Sequence, residues 1–295
     1  MPPSLPPSPL ALLRAAWGFS RKQPVLMPVL VWFLIIPMAL QSWLTRAGES
    51  PAHLALIFRQ GVDLMQLFIA CCILVLALIT LWGWTCVLLL ARRLIQSRAG
   101  RARASFRAVR KESFPLVLPL LLTSLLQGCL LFYRSLLFLV PLLLLLFLNP
   151  CHLTFGPGTP LSSAFERCPL SFLLLPLLLP AIFFYVRTFF FDIILVGEGR
   201  MYRAALKRSK EMTHGRVCRV AGTLLVLAAL TLLPAFILQI IIEQAATPTL
   251  HSMAPFIADL VNAMLSALAS LFFILAAAAY YGALREKREG RGKLR

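Results

Sequence analysis

The sequence predicts an all-α polytopic membrane protein, with six transmembrane helices and three short basic interfacial helices on the cytoplasmic side. Three observations predict it. Of 295 residues, 60% are hydrophobic and only 14% charged, with a mean hydropathy of +0.84. Soluble domains run at roughly 45–50% apolar and 25% charged, so this chain carries more apolar surface than a water-facing shell can hide. Six apolar runs reach the roughly 20 residues that a helix needs to cross the hydrocarbon core. Between them the basic residues fall into short blocks on alternate sides of those runs.

Residues 1–24 form a Pro-rich N-terminus followed by a first amphipathic segment, ALLRAAWGFSRKQP from Ala11. The region lacks an apolar stretch leading to a small-residue cleavage site, so the first long apolar run reads as a retained span. The membrane domain is expected over 25–284, with spans at 25–44, 64–91, 115–148, 170–196, 220–243 and 256–284. The third and fourth exceed a single crossing and must tilt or break. Pro141 in the third, and Pro176 and Pro180 in the fourth, are the expected kinks, because proline removes a helix hydrogen bond. Residues 285–295 form a basic cytoplasmic tail.

The net charge of +18 would suit a nucleic-acid partner if it covered a soluble surface. Instead, 24 of the 29 Lys and Arg residues lie in four blocks: before span one, between spans two and three, between spans four and five, and after span six. Only Arg46, Arg59 and Arg167 fall on the opposite side. Positive flanks mark the cytoplasmic face and meet anionic headgroups. The expected location is therefore the cell inner membrane with both termini inside, and the expected partner is anionic lipid rather than nucleic acid. Nothing in the sequence points to a protein partner or a homo-oligomer.

Each odd-numbered span is preceded by a basic amphipathic segment, beginning near 11, 104 and 204. Ala11, Ala104 and Ala204 align, as do Arg14, Arg107 and Lys207. One reading is a unit of interfacial helix plus transmembrane hairpin used three times. The other is that short cytoplasmic loops are basic in any membrane protein. On the first reading Arg14, Arg107, Arg203, Lys207, Arg208 and Lys210 contact lipid.

Charges within spans are costly and draw attention to function. Arg134 in span three is expected to snorkel to headgroups. Arg187 and Asp192, near the inner end of span four, stand 140° apart on a regular helix and so are poor partners for each other. They form either a structural clasp or part of a transport path in a broken helix. Asp63, Asp259 and Glu243 sit at outer ends, where carboxylates are usually solvated. Gln127 and Asn262 are suited to bonding across helices. Cys151 and Cys168 share an outer loop and either pair in an oxidising compartment or are unrelated thiols.

No HExxH, GxSxG, Walker or GxGxxG motif is present, and the four histidines have no metal-ligand spacing. No enzyme activity, metal or cofactor is expected.

The segment GEG followed by AALKRSKEMTHGR resembles an EG-x-AL-x-RS-x-x-L-x-x-G signature. That signature is found in an uncharacterised family of bacterial six-helix membrane proteins, which this chain resembles and which is similar to the membrane domain attached to some glycerophosphodiester phosphodiesterases. Glu198, Gly199, Ala205, Leu206, Arg208, Ser209 and Gly215 match, while Met212 replaces a common Leu. The resemblance implies a six-helix membrane module without catalytic residues of its own. The leading expectation is thus a non-enzymatic membrane protein that contacts anionic lipid as a scaffold or organiser. The alternative is a small-solute or lipid transporter with its site in the kinked fourth span.

Overall fold

A computed structural model describes residues 7–48, 64–96, 105–148, 182–246 and 254–292, with no strand among them. Five helices are long and apolar enough to cross a membrane: Leu26–Thr45, Leu67–Ile95, Phe106–Tyr133, Val217–Ile242 and Phe256–Glu286. They match five of the six spans expected from the sequence. The fourth is described only over its last part, and Pro176, Pro180, Asp63, Cys151 and Cys168 lie outside the described residues, as do the side chains of Arg134 and Glu243.

Helix α1 (Pro9–Lys22) starts where Ser8 accepts a hydrogen bond from the Ala11 N–H at 3.3 Å and Pro9 supplies a preset φ. Leu12 and Ala16, one turn apart, are buried, whereas Leu10, Arg14 and Trp17 are exposed. The first span follows as α2 (Leu26–Leu30), a π turn (Val31–Ile35) and α3 (Ile36–Gly48). The widened turn ends two residues before Pro37, whose missing N–H leaves the Phe33 carbonyl without its α-helical donor. Gly83 of α4 (Leu64–Gln96) presses on this turn: a Cβ there would lie 2.7 Å from Phe33 Cβ and 2.8 Å from the Phe33 carbonyl oxygen.

The second basic segment is not a separate interfacial helix. It forms the first turns of α5 (Phe106–Leu148), an uninterrupted helix that also runs through Pro115, Pro119 and Pro141. Ser105 caps it by accepting from the Ala108 N–H at 3.2 Å. No glycine separates the basic turns from the apolar ones, and a proline alone has not ended the helix. The third basic segment is a helix of its own, bounded at both ends by glycine.

Helix α6 (182–188), α7 (Phe191–Glu198) and α8 (Tyr202–Thr213) follow, then α9 (Val217–Ala246) and α10 (Ala254–Gly292). Gly199 at φ 68° and Gly215 at φ 73° make the left-handed turns on either side of α8.

Helix α10 is the hub and packs on α1, α3, α4 and α9. Ala276, Ala277 and Ala278 are fully buried beside Tyr280 and Tyr281. Lipid tails are as apolar as leucine, so helices in a bilayer associate by close contact, which small side chains allow. The opposite surfaces are apolar too: Leu225, Phe236 and Ile241 of α9, and Phe68 and Leu74 of α4, point outward. A water-facing protein does not expose so continuous an apolar belt, whereas a multi-pass membrane protein does. Hydroxyls in these helices are satisfied locally, with Thr80, Thr85, Thr123 and Thr231 each donating to the carbonyl four residues back.

Candidate functional site

The fourth hydrophobic segment breaks at Phe189–Phe190, in a run with neither proline nor glycine. Phe190 takes φ −83°, ψ 7°, outside the helical region, between the end of α6 and the start of α7. Such a break frees backbone groups that lipid cannot satisfy. Ser209 of α8 supplies both partners: its hydroxyl donates to the Arg187 carbonyl at 2.9 Å and accepts the Phe190 N–H at 3.2 Å. Thr213, one turn on, donates to the same carbonyl at 3.4 Å. From the other side, Gln127 of α5 donates to the Thr188 hydroxyl at 2.9 Å, which itself bonds the Phe184 carbonyl at 3.0 Å. Gln127 thus bonds across helices.

Arg187 and Asp192 flank the break and are not brought together. Asp192 lines a partly open cavity of about 450 Å³ between α4, α5, α9 and α10. Its walls include Trp84, Leu120, Phe189 and Phe273, with polar groups from Ser124, Gln127, Tyr185 and Ser270. The Asp192 Oδ1 is buried and has no hydrogen-bond partner among the described residues. Among the described residues no Lys or Arg lines this cavity.

Arg187 turns to a second, more open groove of about 700 Å³ with His214, Arg216 and Arg219. Its guanidinium lies 5.5 Å from the Phe183 ring centre. The clasp around Arg187 is therefore made by its backbone carbonyl, and its side chain is left for the groove.

The signature residues around α8 fasten it to the bundle. Glu198 ends α7, and its carboxylate reaches Arg200 and Arg208, each at 3.3 Å. It also accepts a hydrogen bond from the Tyr281 hydroxyl of α10 at 2.5 Å. Arg208 further approaches Glu211 at 3.8 Å, and Lys210 lies 4.8 Å from the Phe184 ring centre. Two of the six expected lipid contacts, Arg208 and Lys210, are thus engaged within the protein. The other four, Arg14, Arg107, Arg203 and Lys207, are exposed.

Asp259, expected to be solvated, is buried in α10. His214, Arg216 and Arg219 carried no site signal in the sequence, because any cytoplasmic loop is basic; only their convergence with Arg187 distinguishes them. Trp84, Tyr185 and Ser270 were equally silent among many similar residues of apolar runs. No group of three or more His, Cys, Asp or Glu among the described residues is placed to hold a metal ion. No family model, curated protein or solved structure matches the chain.

Proposed function

We propose that this chain is a non-enzymatic six-span carrier of the inner membrane, with both termini cytoplasmic, that binds a small cationic solute at Asp192. One observation carries the reading: Asp192, whose buried Oδ1 has no hydrogen-bond partner among the described residues, lines a cavity between helices next to a helix break. An ionisable group at membrane depth is costly and is retained where a solute or ion uses it. Broken helices are the usual place for such sites in carriers. The cavity falls within the range of about 300–1,000 Å³ typical of small-molecule sites. Its aromatic and apolar walls with a lone carboxylate complement an organic cation.

The test is uptake of ethidium or tetraethylammonium into liposomes holding purified protein. Uptake that is lost in Asp192→Asn and retained in Asp192→Glu supports the carrier. Uptake unaffected by Asp192→Asn, or none by the wild-type protein under an imposed membrane potential, rejects it.

A second reading, the lipid-contacting scaffold, is favoured by α1, where Arg14 is exposed beside Leu10 and Trp17. An interfacial helix combines these residue types, the cation meeting phosphate and the aromatic ring entering the headgroup boundary. Neutralising Arg14, Arg203 and Lys207 together would then abolish stabilisation by phosphatidylglycerol while leaving cation uptake intact.

A further inference from the structure

We propose that the groove holding Arg187, His214, Arg216 and Arg219 is a binding site for a phosphate group, carried on an anionic lipid headgroup or free as inorganic phosphate. This site is separate from the Asp192 cavity and does not depend on the carrier reading.

Charge comes first. Arg187, His214, Arg216 and Arg219 line one groove of about 700 Å³, and among the described residues no Asp or Glu lines it. The acids nearest in sequence are committed elsewhere: Glu198 and Glu211 to Arg208, and Asp192 to the other cavity. Cations brought together repel one another, and the arrangement is relieved by an anion.

Burial is the second argument. The Arg187 Nε is shielded from solvent and has no hydrogen-bond partner among the described residues. An unmade donor on a charged group is costly, and an anion held in the groove by the rest of the guanidinium offsets that cost. The Phe183 ring, 5.5 Å from the guanidinium, adds a cation–π contact on one side.

Backbone geometry is the third. Gly215, at φ 73°, turns the chain so that α9 begins at the groove, with Val217, Cys218 and Arg219 in its wall. The first backbone bond of that turn runs from the Val220 N–H to the Arg216 carbonyl at 2.9 Å. The N–H groups of 217, 218 and 219 therefore precede the helical ladder, where they suit an anion. Arginine adds a planar fork that matches phosphate oxygens in pairs.

Cys218 in the groove wall is exposed and reports occupancy. The purified full chain is treated with N-ethylmaleimide, and modification of Cys218 is timed by mass spectrometry. Three treatments are each compared with chloride at equal ionic strength: inorganic phosphate, phosphatidic acid vesicles and phosphatidylcholine vesicles. Labelling is expected to slow by about tenfold when the occupant is well above its Kd. Slowing by inorganic phosphate assigns the site to the free ion as well as to headgroups. Slowing by phosphatidic acid alone assigns it to the headgroup. Arg187→Gln and Arg219→Gln should each remove the protection. If Arg187→Gln fails to fold, Arg216→Gln serves in its place. Rates equal to the chloride control in all three treatments, or protection that survives these substitutions, overturns the proposal.

Discussion

The hydroxyl of Ser209 and the carbonyl of Arg187, 22 residues apart, meet at 2.9 Å across the break in the fourth hydrophobic segment. Because the same hydroxyl accepts the Phe190 N–H, one small side chain replaces two lost helical bonds. Ser209→Ala leaves the Phe190 N–H unpaired in a fully buried place, while Thr213 retains a longer bond to the carbonyl. The expected loss is about 1–3 kcal/mol, read from thermal unfolding in detergent. Thr213→Ala alone should cost less, and the double variant more than the sum of the singles, since each hydroxyl backs up the other. Strict additivity would show that the two do not share the carbonyl.

Glu198 joins three elements through one carboxylate: α7, α8 by way of Arg208, and α10 by way of Tyr281. Its side chain is 10% exposed, against 50% for Arg200. Removing one partner of a buried pair strands the other charge, so Glu198→Ala should destabilise by about 3 kcal/mol or more. Arg200→Ala, at a solvated pair, should cost under about 1 kcal/mol. Unfolding temperatures in one detergent rank the two, and equal losses would place the Glu198 contacts in water.

These residues also show what the chain made legible. Five spans were readable because an unbroken apolar run of membrane length needs no tertiary information. The break at Phe189–Phe190 was not, because its cause is nonlocal: the local run has no helix breaker, and Ser209 lies 19 residues beyond Phe190. Pro141, which looked like the stronger signal, sits inside α5 without ending it. Glu198 was readable only as one residue of the EG-x-AL-x-RS signature. Its bond to Tyr281, 83 residues away, was beyond any local pattern. Arg187 and Asp192 diverge across the helix break between them, which the 140° offset of a regular helix did not anticipate, and the two separate cavities arise from helices that only the fold assembles.

Gly83 and Gly282 are both helical and should respond oppositely to alanine. A methyl at 83 would meet Phe33 Cβ and backbone at 2.7 and 2.8 Å, so α4 must move off the π turn. The overpacking cost is about 1–3 kcal/mol. At 282 the nearest atom is an Ile95 side-chain carbon at 3.5 Å, an ordinary contact, so the exchange should be neutral or stabilising. Purified yields and melting curves of the two variants check this, and a stable Gly83→Ala would require a looser contact between the first span and α4.

Topology is testable through Cys218, which is exposed at the start of α9 between Arg216 and Arg219. If the 24 residues of the basic blocks face the cytoplasm, this thiol is inside as well. A variant retaining Cys218 as its single cysteine should resist a membrane-impermeant maleimide added to intact cells. It should react once the cells are permeabilised, or in inverted vesicles. Headgroup occupancy of the groove would slow the second reaction but would not create the first. Labelling in intact cells would invert the orientation and would place the Arg187 groove and the basic tail on the outer surface.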